Sequence, residues 1–111
     1  MTVDKSLLAG STTMLVLKLL DGQDMYGYQM IEELSRRSER AFALKTGTLY
    51  PLLLRLERKG LIAAEYRAGS GGPSRKYYRL TPDGVQYLSE FVAAWQEASD
   101  TVNRILHDKE G

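Results

Sequence analysis

The chain has 111 residues, 43 % of them hydrophobic, with no cysteine and a single histidine, His107; that is room for one compact domain plus one long element left over for a partner. Disulfides, thiolate metal sites and cysteine nucleophiles are excluded, and no His or paired-carboxylate constellation shares a face, so neither an enzyme nor a cofactor or metal is expected. The net charge of +1 conceals an asymmetry: residues 36–79 carry eleven Lys or Arg against three Glu, a net +8, while the remainder carries four basic and eleven acidic residues, a net −7.

A first helix is predicted from about Asp4 to Leu20, stopped by Asp21-Gly22. Its second half is apolar all round, a pattern that needs burial on more than one side and hints at a second subunit. The run from Met14 to Leu20 is interrupted by Lys18, far short of the ~20 residues of a membrane span. Lys5 with Leu7-Leu8 looks like the start of a signal peptide, but Gly10-Ser11-Thr12-Thr13 breaks the apolar stretch. A soluble, cytoplasmic protein is expected.

A second helix is predicted over about Tyr26 to Ser38, burying Met30, Ile31 and Leu34 and turning Glu32, Glu33, Arg36 and Arg37 outward. Gly27 would be tolerated in its first turn or would admit another backbone.

The third helix falls within Lys45 to Lys59. At about 100° per residue, Leu49, Leu52, Leu53 and Leu56 cluster on one side and Gly47, Pro51, Leu54, Arg55 and Arg58 on the other. Either Thr48 or Thr46 is the N-cap; with Thr48 the missing N–H of Pro51 costs nothing, with Thr46 it forfeits a bond to Gly47. Gly60 is the C-terminal stop. A two-stranded ribbon follows, Leu61 to Arg67 and Arg75 to Leu80, around the turn-forming loop 69–74. On the returning strand Tyr78 and Leu80 should face the core and Arg75, Tyr77 and Arg79 away from it.

Thr81-Pro82-Asp83 opens a last helix reaching about His107, with a threonine cap, a proline in the first turn and an acid at the positive end of the dipole. Apolar residues at 85, 88, 92, 95, 102 and 106, with Ser99 the polar exception, form a helix-packing seam. Roughly 25 residues make about 37 Å of helix, more than the preceding domain covers, so part of the seam needs another chain.

This is the layout of a winged helix-turn-helix. A helix that enters the major groove needs polar side chains near its N-terminus and cations for phosphates. Lys45, Thr46, Thr48 and Tyr50 stand at that end, Arg55 and Arg58 follow, and Arg75 and Lys76 lie on the wing. Each alone reads equally as a solvated surface residue or a cap; the combination is specific. Exposed Leu54 could meet a thymine methyl or pack on its neighbours.

Tyr26-Gly27-Tyr28, then Gly47-Thr48-Leu49-Tyr50-Pro51-Leu52-Leu53 with Arg55-Leu56-Glu57 and Gly60-Leu61-Ile62, and finally Arg75-Lys76-Tyr77-Tyr78 and Leu80-Thr81-Pro82-Asp83-Gly84 resemble the PadR family of bacterial transcriptional regulators. The resemblance covers residues 7–84 as motif and the remainder as architecture, and is similar to the family's short form. It implies a mainly α fold with a small β-wing: a winged helix-turn-helix DNA-binding domain over residues 1–80 and a C-terminal dimerisation helix over 81–111. It further implies a homodimer on a roughly palindromic operator with half-sites about 10 base pairs apart, usually a repressor, in some members released by a small aromatic effector. DNA contact is carried over to Thr46, Gly47, Thr48, Tyr50, Pro51, Arg55 and the wing cations Arg75 and Lys76, with Lys45 beside them. Leu88, Val92, Trp95, Val102 and Leu106 would form the dimer interface; Trp95, with Ser99 one turn on, either fills that interface or stacks on a flat ligand. Competing expectations are a winged-helix module whose basic face meets an acidic protein, and a ligand sensor with weak operator contact.

Overall fold

The computed structural model describes residues 9–69 and 71–108. A 3-10 turn, Ala9–Ser11, leads into α1, Thr12–Leu19. Any helical start near Asp4 lies outside the described residues. Val16, Leu17, Leu19 and Leu20 are each 2 % exposed or less, so the encircling apolar pattern is largely satisfied inside one chain and requires no second subunit at this point.

The strand β1, Met25–Tyr26, precedes α2, Gly27–Arg37. β1 was not anticipated, because two residues carry no readable alternation. α2 buries Met30 and Leu34, with Ile31 packed at the core's edge. Its Glu33 pairs outward with Arg36 and Arg37, and hydrogen bonds from Arg36 and then Arg37 hold the Glu33 carboxyl down at about 2. Beyond the helix, Glu39 and Arg40 take left-handed φ angles of 52° and 67°, and buried Phe42 and Leu44 tie the connection to the core.

α3 runs Thr46–Arg58 and buries Leu49, Leu52, Leu53 and Leu56, the stripe expected from the sequence. Its N-cap is Lys45, not either threonine; the Lys45 carbonyl accepts from the N–H groups of Thr48 and Leu49 at 3.0 and 2.9 Å. Pro51 is therefore inside the helix and leaves the Gly47 carbonyl without a ladder donor. At the other end Leu61 N–H donates to the Leu56 carbonyl and Gly60 N–H to that of Glu57, with Gly60 at φ +75°. This paired arrangement satisfies the last carbonyls and turns the chain sharply into the wing.

β2, Ile62–Arg67, and β3, Arg75–Leu80, pair antiparallel from Ile62↔Leu80 to Arg67↔Arg75. β1 adds to the other edge of β3 through Met25↔Tyr78 and Tyr26↔Tyr77, so the wing is a three-stranded sheet in the order β1-β3-β2. Tyr78 faces inward at 5 % exposure.

α4, Pro82–Leu106, starts where expected: Thr81 Oγ1 accepts from Gly84 N–H at 3.0 Å and donates to the Gly60 carbonyl at 2.6 Å. Its first three turns belong to the core, through buried Gly84 and Leu88 and through Phe91 and Val92, partly buried and packed against the core. Beyond Val92 the helix leaves the domain, giving the molecule extents of 63 × 32 × 21 Å.

Candidate nucleic-acid interface

Burying the leucine stripe of α3 forces the opposite face into solvent. Lys45, Thr46, Gly47, Thr48, Tyr50, Pro51, Arg55 and Arg58 are all exposed on α3 or at its start, and Leu54 stands among them at 46 % exposure. The helix thus presents polar and cationic groups along one side, beginning at a terminus whose free N–H groups favour anions.

Between α3 and the wing lies a groove of about 670 Å³ lined by Tyr26, Gly27, Tyr28, Tyr50, Tyr66, Arg75, Lys76 and Tyr78. It brings together Tyr50, Arg75 and Lys76 with Tyr26, Gly27, Tyr28 and Tyr78 of the quoted motifs, and adds Tyr66, which no sequence pattern singled out. Gly27 shapes it: a Cβ at that position would collide with the Tyr50 hydroxyl and ring, the nearest ring carbon other than Cζ lying 3.0 Å away. The close approach that Gly27 permits is therefore of a side chain from α3, not of another backbone.

The two wing cations, adjacent in sequence, leave β3 on opposite faces. Lys76 turns toward α3, 3.5 Å from the Glu57 carboxylate, with its ammonium 5.5 Å from the Tyr78 ring centroid. Partial desolvation works against the Lys76 charge, but Tyr78 and Glu57 outweigh it and hold its pKa above the ordinary lysine value. Arg75 turns outward and lies over the ring of Tyr26. Directly across from it on β2, Arg67 is paired with both Asp24 and Glu65, whose hydrogen bonds raise its pKa.

The seam of α4 divides. Leu88 is 6 % exposed within a single chain and Val92 packs at the core's edge, whereas Trp95, Val102, Ile105 and Leu106 are 47 %, 53 %, 70 % and 70 % exposed. Ser99 is half-buried one turn from Trp95. Of the expected interface residues, Leu88 is thus already covered by its own core, while the unsatisfied apolar surface is the distal half, to which Ile105 adds. Among the described residues, no helix is long and apolar enough to cross a membrane, and no group of three or more His, Asp or Glu could hold a metal ion.

Residues 16–90 match the sequence model of the transcriptional regulator PadR-like family. The chain is 39 % identical over 79 residues to a transcriptional regulator of Mycobacterium tuberculosis, a match covering 71 % of this chain and 70 % of that protein. Among solved structures, it superposes on a PadR family transcriptional regulator from Eggerthella lenta with a TM-score of 0.84 and 36 % identity, covering 94 % of this chain and 88 % of the other. A PadR-like transcriptional regulator from Bacillus cereus gives a TM-score of 0.80 at 34 % identity, covering 94 % of this chain and 99 % of that one.

Proposed function

Since this chain belongs to the PadR-like family of transcriptional regulators, we propose that it acts as a homodimeric repressor, placing two α3 helices in successive major grooves of a palindromic operator. The observation that carries the reading is the split of α3: four buried leucines anchor it, and its exposed side offers Thr46, Thr48, Tyr50, Arg55 and Arg58 beside a cation-bearing groove. Polar groups at the N-terminal end suit base edges, and Arg55 and the wing suit phosphates. Gly47 and Pro51 keep that side shallow, letting the backbone approach the duplex.

Dimerisation is supported by the exposed distal stripe of α4, which a partner's α4 would cover. In this reading Trp95 fills the interface; a planar aromatic effector would act by stacking there and altering the distance between the paired α3 helices.

The test is footprinting on DNA flanking the chain's own gene, followed by titration of the protected duplex over a range of salt. Arg55→Ala should weaken binding and reduce the slope of log K against log salt by about one unit. The absence of any protected segment would instead favour an acidic protein as the partner of the basic face.

A further inference from the structure

The outer face of the wing carries a stacked set of side chains that a phosphate-binding cation alone does not require. The Arg75 guanidinium lies 4.6 Å from the ring centroid of Tyr26 and donates from Nη1 to the Tyr26 hydroxyl at 2.9 Å. Tyr26 is itself held on several sides. Its backbone pairs with Tyr77 across β1 and β3, its ring meets that of Tyr77 edge-on at 5.4 Å, and its N–H donates to Gln29 Oε1 at 3.0 Å. Tyr77 in turn lies 4.6 Å beneath the Arg67 guanidinium.

The two arginines of this stack are treated differently. Arg67 is neutralised by Asp24 and Glu65, whereas among the described residues Arg75 has an aromatic face and a neutral hydroxyl for partners and no carboxylate. A carboxylate would orient Arg75 equally well but would cancel its charge; a tyrosine orients it and leaves the charge available. Lys76, the other wing cation, is turned toward Glu57 on the opposite face.

We propose that Tyr26 is a positioning residue: it fixes the Arg75 guanidinium at the mouth of the groove between α3 and the wing, with its charge free for a DNA phosphate. The inference rests on the DNA-binding reading above. An exposed arginine at a strand end samples many rotamers and loses that freedom on binding; Tyr26 removes much of the loss in advance.

The experiment uses the full chain, as wild type, Tyr26→Phe, Arg75→Ala and the double variant. Each is titrated against a DNA duplex that the wild type enriches from a random-sequence pool, over a range of salt. Tyr26→Phe keeps the ring and its packing on Tyr77, so the thermal midpoint should be unchanged while duplex affinity falls roughly 3- to 10-fold at an unaltered salt slope. Arg75→Ala should lower the slope by about one unit, and Tyr26→Phe should then add nothing in its background. Additive losses in the double variant would show Tyr26 acting on DNA by itself and overturn the proposal, as would undiminished affinity in Tyr26→Phe. If Arg75→Ala binds like the wild type, positioning fails while the DNA reading stands; if the wild type enriches no duplex, both fail.

Discussion

A methyl group at position 84 would strike the Leu61 carbonyl oxygen, with the carbonyl carbon at 3.0 Å and Leu80 Cδ2 at 3.1 Å. The obstacle is backbone, so α4 would have to shift away from the turn after α3. Gly84→Ala should therefore cost about 1–3 kcal/mol in chemical denaturation, and a wild-type midpoint would contradict the packing. Glu33 offers a test by pH. Its carboxyl is held at about 2 against an ordinary 4.5 by Arg36 and then Arg37. A carboxylate depressed in the folded state contributes stability above its unfolded value and loses it as pH falls through its folded value. The contribution of this cluster should fade between pH 4.5 and about 2. An NMR titration of the Glu33 carboxyl should have its midpoint near 2; a midpoint at the ordinary value would show that the pairs do not persist in solution. At this scale, local pattern served well for the leucines of α3 and poorly for Gly27, whose neighbour Tyr50 is distant in sequence and comes close only through the packing of α3 on α2.

α3 and α4 are joined more tightly than their separation in sequence suggests. The Gly60-Leu61 turn that ends α3 is gripped by the start of α4: Thr81 N–H donates to the Leu61 carbonyl at 3.1 Å and Thr81 Oγ1 to that of Gly60 at 2.6 Å. The same hydroxyl caps α4 by accepting from Gly84 N–H. Thr81→Ala removes both side-chain bonds and should cost about 1–2 kcal/mol, seen as a lower thermal midpoint; Thr81→Ser should retain most of that stability. The helix starts and stops at Gly60 and Thr81-Pro82-Asp83 were legible because capping chemistry is local. The start of α3 was not, since its N-cap position falls on Lys45, which makes no side-chain cap bond, and not on a threonine. β1 was hidden for a related reason: it is a two-residue strand created by β3 rather than by its own pattern. Lys76 and Arg75 were read together as wing cations, and the alternation of a strand places them on different faces, one engaged by the Glu57 carboxylate and the other by the neutral Tyr26 side chain.

As a whole molecule, the chain is a small core with an overhanging helix. Leu88 and Val92 are used within the core, and the overhang expected from helix length is confined to the second half of α4, where Trp95, Val102, Ile105 and Leu106 are open to solvent. Pairing two copies there would hide that stripe and, through the Gly60–Thr81 joint, set the distance between two α3 helices. The operator is not legible from one chain, because in the proposed dimer its spacing would be a property of the pair. Hydroxyl-radical footprinting of the chain on its enriched duplex tests this account most directly. The result expected is two protected segments on one face of the DNA with centres about 10 base pairs apart, covered by two chains. A single protected segment bound by one chain would contradict it.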